Sequence, residues 1–330
     1  MSDNTQSVLN RLRELIGPDL EQTNALIRQH LDSEVELIPT LGTHLIESGG
    51  KRLRPILTLL SARLFGYQGT AHALLAAVIE FIHTATLLHD DVVDKSNTRR
   101  GIATANSVWG NKAPVLVGDF LFSRSFQLLV SHGNLKILQI IADTCAIISE
   151  GEVLQLVASN DLKTTEDKYM AVVSSKTASL FSAACQIGPV LANRPEDDVE
   201  RMAKFGTCLG IAYQVVDDTL DYAATVEKLG KTIGDDFQEG KITLPVIHAY
   251  ANATPEERAF WVQTIEKGQI APGSLEQAIT MIRQRGALHY SMERARSFAK
   301  AAKAHLEPCP SSPEKEALTM LADFSVDRSF

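Results

Sequence analysis

Residues 71–94 have the sequence AHALLAAVIEFIHTATLLHDDVVD, an apolar stretch that ends in three aspartates. Its apolar side chains recur every three or four residues, which is typical of one face of an α-helix. This face consists of Leu75, Val78, Ile79, Ile82 and Leu87. The same spacing recurs through almost the whole chain, and the alternation typical of strands is scarce. The sequence therefore predicts an all-α fold.

The periodicity also predicts where the helices begin and end. Their bounds are 5–16, 19–31, 34–48, 54–65, 71–94, 113–131, 135–159, 165–192, 196–222, 242–250, 255–267, 274–286, 289–306 and 313–324. The breaks between the later helices are short and rich in Pro and Gly, so they indicate turns and not a domain linker. A chain of 330 residues is long enough for two domains. We nevertheless predict one domain over 1–330, with its motifs at 49–241 and further helices at 242–330.

The charge balance excludes one class of partner. The chain has 32 Lys and Arg against 40 Asp and Glu, which gives a net charge of −8. Sequence-independent binding of nucleic acid needs a basic face, so we expect no nucleic-acid partner. An anionic ligand must instead be bound by a local basic cluster or through a metal ion.

Cysteine usage and the N-terminal sequence indicate a soluble cytoplasmic protein. The four cysteines are far apart and form no CxxC pair, which disfavours a zinc site and a disulfide framework and fits a reducing compartment. The N-terminus lacks the basic start and apolar core of a secretory signal. We expect no membrane span, because Glu80 ends the longest apolar run, 73–79, well short of the ~18 to 20 residues needed.

The pattern Asp-Asp-x-x-Asp occurs twice, at 90–94 and at 217–221. On a helix, residues i and i+4 share one face, so Asp90 and Asp94 form a carboxylate pair and the second copy repeats it. Clustered carboxylates near a helix C-terminus repel each other and the helix dipole, unless a cation is bound. Hard oxygen ligands favour Mg²⁺, which bridges to phosphate oxygens. A solvated helix end is the alternative for one cluster, but two copies facing each other across a helical bundle would bind a diphosphate through metal.

Basic residues near these motifs are candidates to bind the phosphates. The segment GGKRLRP places Lys51 and Arg54 beside glycines at a predicted helix start, where free N–H groups favour an anion. The segment TRRG follows the first acidic motif, so Arg99 and Arg100 could bind phosphate oxygens there. The alternatives are a solvated loop for the first segment and neutralisation of the neighbouring aspartates for the second.

Further candidates are weaker when taken alone. His83 lies two helical turns before the first acidic motif and could donate to an anion, although a buried histidine with a protein partner is the alternative. Lys176, Lys231 and Lys241 each lie in a short polar segment. The aspartates at 235–236 are candidates to face a metal or pair with a lysine, and a turn is an equal alternative.

Seven segments stand in a characteristic order within the stretch 37–290, over which the chain resembles a known family. They are GGKRLRP, EFIHTATLLHDDVVD, TRRG, SSKT, YQVVDDTLDY, GKTIGDD and EGKITLP. In combination they resemble the all-trans polyprenyl diphosphate synthases, which are head-to-tail prenyltransferases. The resemblance implies an all-helical homodimer in which each helical bundle surrounds a central active-site cavity.

The resemblance also implies the roles of individual residues. The implied Mg²⁺ ligands are Asp90, Asp94 and Asp217. The implied site for isopentenyl diphosphate consists of Lys51, Arg54, His83 and Arg100. The implied site for the allylic diphosphate consists of Arg99, Lys176, Thr177, Gln214, Lys231 and Lys241. The implied catalytic residues, which stabilise the carbocation, are Lys176, Thr177 and Gln214.

In the implied reaction, the diphosphate leaves an allylic substrate such as farnesyl diphosphate, and the double bond of isopentenyl diphosphate attacks the resulting cation. The new cation then loses a proton to the released diphosphate. Each cycle adds one isoprene unit, and apolar walls keep water away from the cation. No nucleophilic side chain or general base is needed, which agrees with the lack of a Ser-His-Asp or Cys-His pattern. The product would supply the side chain of a respiratory quinone, with a transient membrane contact during its release.

Product length is implied by the residues one turn before the first acidic motif. Short-chain members carry bulky aromatic residues there, whereas this chain has Ala85 and Thr86, about 6 to 7.5 Å from Asp90 along the helix axis. We therefore predict a long product, with octaprenyl length favoured; close helix packing is the alternative reason for small residues. Gln155 replaces an aspartate of the short-chain members, and Arg328 is a weak candidate to close over substrate.

Other functions remain open. A class I terpene cyclase would share one acidic motif, but its second metal motif usually has the form Asn/Asp-x-x-Ser/Thr-x-x-x-Glu, unlike DDTLD here. A non-catalytic subunit of a hetero-oligomeric synthase is disfavoured by the two intact acidic motifs. A di-iron bundle would use Glu80 and His83 as one Glu-x-x-His element, but such sites need two.

Overall fold

The computed structural model describes residues 3–47, 50–99, 101–223 and 234–327. Helices make up nearly all of the regular structure there, so the all-α prediction is confirmed. The first elements are α1 (Asp3–Leu31), α2 (Leu37–Glu47), α3 (Leu53–Leu64), α4 (Ala71–Val93), β1 (Thr98–Arg99), β2 (Ile102–Ala103), α5 (Ala105–Trp109), α6 (Lys112–His132) and α7 (Leu135–Ala158). The later elements are α8 (Glu166–Val173), a π-helical segment (Ser174–Ala178), α9 (Ser179–Leu191), α10 (Glu196–Ala223), α11 (Asp235–Gln238), α12 (Leu244–Ala251), α13 (Pro255–Trp261), a second π-helical segment (Val262–Glu266), α14 (Ser274–Gln284), α15 (Ala287–Leu306) and α16 (Pro313–Val326).

The chain divides into two compact units. Unit 1 consists of Met1–Cys145, Leu180–Gly206 and His305–Leu321. Unit 2 consists of Ala146–Ser179, Thr207–Ala304 and Ala322–Phe330. Several of their boundaries fall inside helices, including α7 and α10. The single domain over 1–330 stays a prediction.

Helix α4 packs against α1, α3 and α6 in unit 1. Leu75, Val78, Ile79 and Ile82 are fully buried, as the predicted apolar face requires, and Leu87 is partly buried. Alanines on the other faces of α4 are buried as well, so protein encloses the helix on most sides. This packing fixes the position of the acidic motif at the C-terminal end of the helix.

By length and composition alone, α4 and α6 are each apolar enough to cross a bilayer. The core helix of a soluble protein passes the same test, so the expectation of no membrane span stays a prediction. Most of α4 is buried inside the protein, as in the core helix of a soluble protein, whereas less than half of α6 is buried.

A buried network connects α1 to the helices that carry the first basic and acidic motifs. The Asp19 carboxylate of α1 forms an ion pair with Arg63 of α3 and lies 3.1 Å from His72 Nε2 of α4. Burial alone would raise the pKa of Asp19, but the hydrogen bonds from Arg63 and His72 outweigh burial and lower that pKa. The network therefore fixes how α1 packs against α3 and α4.

We expect Asp19→Asn to lower the free energy of unfolding by about 2 kcal/mol at neutral pH, because Arg63 loses its buried carboxylate partner. The folded state lowers the pKa of Asp19, so the carboxylate contributes stability above its unfolded pKa of 3.8 and loses that contribution as the pH falls through the lowered value. Urea unfolding of both proteins at neutral pH and at about pH 3 measures the effect. An equal difference at both pH values would contradict this account.

Apolar clusters form the core of unit 2 among its described residues, and two of them bear on the site. One contains Phe237 and Trp261, whose rings lie 6.3 Å apart in an edge-to-face arrangement. The other contains Tyr169 of α8 together with Val215 and Val216 of α10. This second cluster packs α8 against α10, the helix that carries the second acidic motif.

Some elements differ from the predicted ones. Helix α1 is one helix and not two, because Ile16 and Ile27 are buried on either side of Pro18 and tertiary packing outweighs the proline. The stretch predicted as one α-helix at 165–192 contains a π-helical segment. The hairpin β1–β2 and the helices α5 and α11 are too short to produce a period in the sequence. All four cysteines lie among the described residues, and none of them forms a disulfide.

Candidate active site

The first acidic motif lies where α4 ends. Asp94 is the C-cap of the helix, and its N–H donates to the Asp90 carbonyl at 2.8 Å. Asp90 and Asp94 are partly exposed, whereas Asp91 is fully buried. The two outer carboxylates of this motif can therefore meet a ligand, and the middle one cannot.

Arg99 of β1 binds the buried Asp91. The Arg99 Nε and Nη2 atoms donate to Asp91 Oδ1 at 2.9 and 2.8 Å. Burial raises the pKa of Asp91, although the hydrogen bond from Arg99 opposes this shift. This contact matches the alternative role that the sequence left open for Arg99, which is to neutralise a neighbouring aspartate. Its predicted contact with the allylic diphosphate stays a prediction.

The first basic motif surrounds the start of α3. Arg54 Nη1 lies 3.1 Å from His83 Nε2, and the guanidinium lies 4.5 Å from the centre of the Phe181 ring. A guanidinium has no acceptor, so His83 Nε2 accepts this hydrogen bond. Lys51 precedes the helix and is exposed. The structure therefore brings Arg54 and His83 together, two of the residues predicted to bind isopentenyl diphosphate.

Sequence reasoning missed the contact between Arg52 and Glu80. Arg52 is the N-cap of α3 and has a left-handed backbone with a φ of 52°. Its side chain forms an ion pair with Glu80, which is only 6% exposed. A lone carboxylate in an apolar helix is the signal that could have revealed this pair. Glu80 and His83 both contact basic side chains, which argues against the di-iron alternative.

Lys176 and Thr177 lie in the π-helical segment of unit 2. Such segments are frequent at functional sites. Gly151 of α7 allows the close approach, because a Cβ atom there would lie 2.9 Å from the backbone nitrogen of Lys176. Lys176 Nζ donates to Glu152 Oε2 at 2.7 Å and to Gln155 Oε1 at 2.8 Å. Gln155, whose role the sequence left open, therefore contacts Lys176, which is predicted to bind the allylic diphosphate.

The second acidic motif lies near the end of α10. Asp217 and Asp221 are partly exposed, and Asp218 is buried. Asp218 accepts hydrogen bonds from the Tyr169 hydroxyl at 2.5 Å and from Gln214 Nε2 at 2.7 Å. Burial raises the pKa of Asp218 to about 7. As in the first motif, protein groups enclose the middle aspartate, so the outer aspartates are the better candidates for metal.

Residues 235–241, which follow the second acidic motif in the described part of the chain, also make short contacts. Asp221 Oδ2 accepts the N–H of Asp236 at 3.1 Å, where α11 begins. The aspartates at 235–236 therefore lie at the start of a short helix. A helix start is similar to the turn that the sequence analysis gave as one alternative for these residues. Lys241 Nζ lies 2.6 Å from Glu239 Oε2.

Two of the predicted catalytic residues are in direct contact. Thr177 Oγ1 donates to Gln214 Oε1 at 3.0 Å. Arg100, Lys231 and Arg328 lie outside the described residues. The structure therefore joins Thr177 and Gln214 within unit 2 and leaves the three basic residues as predictions.

The acidic side chains fit a magnesium ion that is shared with a ligand. Asp90, Asp94 and Asp217 offer hard carboxylate oxygens, which Mg²⁺ prefers. Within the part of the chain that the structure describes, no group of three or more His, Cys, Asp and Glu residues is arranged to hold a metal ion. Magnesium is usually bound by one or two carboxylates together with water and phosphate oxygens, so the partly exposed carboxylates of each motif suit it.

Known proteins resemble the chain over nearly its full length. The model of the polyprenyl synthetase family matches residues 35–282. The chain belongs to the polyprenyl synthetase family. This membership confirms the resemblance stated above, and it makes the protein a prenyltransferase, as predicted.

Individual relatives of this polyprenyl synthetase agree with the family match. The octaprenyl diphosphate synthase of Escherichia coli is 46% identical over 320 residues, which cover 97% of this chain and 99% of the relative. A crystal structure of a decaprenyl diphosphate synthase from Rhodobacter capsulatus has a TM-score of 0.93 at 49% identity, with 97% and 99% of the two chains covered. A polyprenyl synthase from Caulobacter crescentus, complexed with calcium and isoprenyl diphosphate, has a TM-score of 0.94 at 45% identity, with 97% and 98% covered.

Proposed function

We propose that this polyprenyl synthetase condenses isopentenyl diphosphate head to tail onto an allylic diphosphate such as farnesyl diphosphate. The product would be an all-trans prenyl diphosphate of octaprenyl length, which supplies the side chain of a respiratory quinone. The observation that carries this proposal is the 46% identity to an octaprenyl diphosphate synthase over 97% of the chain. The small residues Ala85 and Thr86 before the first acidic motif agree with a long product.

Unit 1 would bind isopentenyl diphosphate through Lys51, Arg54, His83 and Arg100. The contact between Arg54 and His83 supports this assignment, because the imidazole orients the guanidinium that would bind phosphate oxygens. The stacking of Arg54 on Phe181 restricts the guanidinium further.

The residues that we propose to bind the allylic substrate are Arg99, Lys176, Thr177, Gln214, Lys231 and Lys241. The hydroxyl of Thr177 and the amide oxygen of Gln214 would stabilise the positive charge that develops when the diphosphate leaves. The hydrogen bond between these two side chains supports a shared role. The π-helical segment fixes the backbone around Lys176, so its side chain can be oriented before substrate binds.

Asp90, Asp94 and Asp217 would hold Mg²⁺ together with the substrate diphosphate. When bound there, Mg²⁺ would offset the charge that grows on the departing diphosphate. Two observations support these three aspartates: their carboxylates are partly exposed, and the buried Asp91 and Asp218 already bind protein donors.

Exposed apolar side chains support the proposal of a homodimer. Large apolar side chains are exposed on α6 and α7, at Leu116 (67%), Val130 (66%), Leu135 (79%), Leu156 (67%) and Val157 (67%). We propose that a second copy of the chain covers some of these side chains in a homodimer. The protein would act in the cytoplasm without a nucleic-acid partner, and it would contact the membrane transiently when it releases its apolar product.

Incubation of the purified protein with farnesyl diphosphate, labelled isopentenyl diphosphate and MgCl₂ tests the proposed function. We expect label in a long all-trans product, and EDTA should abolish its formation, because the carboxylates alone repel the diphosphate. Chain-length analysis of the dephosphorylated products measures the outcome. EDTA-insensitive synthesis would overturn the metal assignment.

The same assay separates the alternatives. No incorporation of isopentenyl diphosphate would favour a non-catalytic subunit of a hetero-oligomeric synthase. A cyclic hydrocarbon formed without isopentenyl diphosphate would favour a class I terpene cyclase.

A further inference from the structure

A chain of hydrogen bonds in unit 2 leads from α8 to the two side chains proposed to stabilise the cation. The hydroxyl of Tyr169 donates to Asp218 Oδ2 at 2.5 Å. Gln214 Nε2 donates to Asp218 Oδ1 at 2.7 Å. At the other end of the same amide, Gln214 Oε1 accepts from Thr177 Oγ1 at 3.0 Å. Gln214 is therefore held between a carboxylate and a hydroxyl.

The two ends of this amide differ in charge, so its orientation decides what it can stabilise. A glutamine amide has an oxygen that only accepts and a nitrogen that only donates. With the oxygen towards Thr177, the negative end of the dipole points away from Asp218. In the opposite orientation, the partly positive NH₂ group would lie on the side of Thr177, where it would repel a cation.

Of the two partners of Gln214, only Asp218 selects the orientation. The Thr177 hydroxyl can donate or accept, so it can bind either end of the amide. Because Asp218 Oδ2 already accepts from the Tyr169 hydroxyl, Oδ1 is the oxygen that faces Gln214, and it accepts from the NH₂ group at 2.7 Å. The opposite orientation would place the amide oxygen against a carboxylate oxygen, which is repulsive.

The surroundings of Asp218 prevent it from turning away. Asp218 is 7% exposed, and each of its oxygens accepts one of the two hydrogen bonds. Tyr169 is itself part of the apolar cluster that packs α8 against α10. The carboxylate is therefore fixed in the direction of Gln214, one helical turn away on α10.

We infer that Asp218 is a positioning residue, which orients the Gln214 amide so that its oxygen faces the allylic cation. Tyr169 supports it by occupying the other carboxylate oxygen. In this view the second acidic motif combines two tasks: Asp217 faces the metal and Asp218 sets a dipole. The inference rests on the proposed function, because it takes Gln214 as the residue next to the cation.

The variant Asp218→Asn tests the inference. An asparagine can present either its oxygen or its NH₂ group to Gln214, so the amide is no longer held in one orientation. We expect the single-turnover rate of the first condensation, with farnesyl diphosphate, isopentenyl diphosphate and Mg²⁺, to fall about tenfold or more. The half-saturating concentrations of farnesyl diphosphate and Mg²⁺ should stay within about threefold of wild type.

A matched control lies on the exposed surface of α7. Gln139 Nε2 donates to Asp143 Oδ1 at 2.6 Å, which is the same pair of side chains at the same helical spacing. Asp143→Asn should therefore leave the rate and both half-saturating concentrations unchanged. This control shows whether the loss of a helical Gln–Asp pair by itself changes the reaction rate.

A reciprocal exchange provides a rescue. Gln214→Glu alone places two carboxylates against each other and should also slow the reaction. In the double variant Gln214→Glu with Asp218→Asn, the new amide donates to the new carboxylate, whose second oxygen still faces Thr177, and the net charge is that of wild type. We expect the double variant to recover to within about threefold of the wild-type rate. If Asp218→Asn alone does not fold, the double variant still tests the inference.

The outcomes separate this inference from the proposed function. A wild-type rate in Asp218→Asn at an unchanged melting temperature would overturn the inference, as would a double variant slower than both single ones. A rate that excess Mg²⁺ restores would make Asp218 a metal ligand, which also overturns it. Failure of the wild-type protein to condense the two substrates would instead overturn the proposed function.

Discussion

Asp90→Ala is expected to slow the condensation about a thousandfold or more without weakening the fold. The carboxylate is partly exposed at the end of α4, where it is close to other negative charges and to the negative end of the helix dipole. Its removal relieves repulsion, so the melting temperature should not fall. Single-turnover assays over a range of Mg²⁺ concentrations, with thermal unfolding, measure both effects. Full turnover in this variant would remove Asp90 from the metal site.

The neighbouring Asp91 provides the contrast. Asp91→Asn should lower the free energy of unfolding by about 2 kcal/mol, because Arg99 loses the buried carboxylate that it binds through two nitrogen atoms. The folded fraction should keep far more activity than Asp90→Ala does. The opposite result, with activity lost and stability kept at Asp91, would reverse the roles assigned to the outer and middle aspartates.

The sequence alone was enough to predict the helical class and the position of the first acidic motif. The apolar face of 71–94 is buried in the structure, because a period of about 3.6 residues is a local property of the chain. The spacing of Asp90 and Asp94 likewise places both carboxylates at one helix end, without any knowledge of tertiary contacts.

Which aspartate of each motif is buried could not be predicted in this way. Asp91 and Asp218 occupy the same place in their motifs as middle residues, but their partners come from outside the motifs. Arg99 reaches Asp91 from a two-residue strand, and Tyr169 reaches Asp218 from a different helix, 49 positions away in sequence. Such pairings depend on how elements pack, and no period or motif encodes them.

The π-helical segment is a second feature that the sequence concealed. Residues 165–192 carry an ordinary helical period, and the sequence predicts one α-helix there. The irregular turn occurs where Gly151 lets α7 approach the backbone at Lys176. The sequence gives no sign of this role for Gly151, because the role depends on the absent side chain and on a neighbour that is distant in sequence.

The substitution Ala85→Phe is expected to shorten the major product by several isoprene units. Ala85 is fully buried on α4, one turn before the first acidic motif, and Thr86 beside it is partly buried with its hydroxyl bonded to the His83 carbonyl at 2.8 Å. A phenylalanine at this level would obstruct a chain that grows away from the diphosphate site along α4. Chain-length analysis of products from farnesyl diphosphate and labelled isopentenyl diphosphate measures the shift.

A bulky side chain in a packed core also costs about 1–3 kcal/mol of stability, so the effect on product length needs a matched control. Ala76 provides it, because it is equally buried on α4 and lies on the opposite face, about 180° around the helix axis. Ala76→Phe should destabilise the protein to a similar extent and leave the product distribution unchanged. If both variants shorten the product, destabilisation explains the result; if neither does, Ala85 is small because the helices pack closely there, and the length limit lies elsewhere.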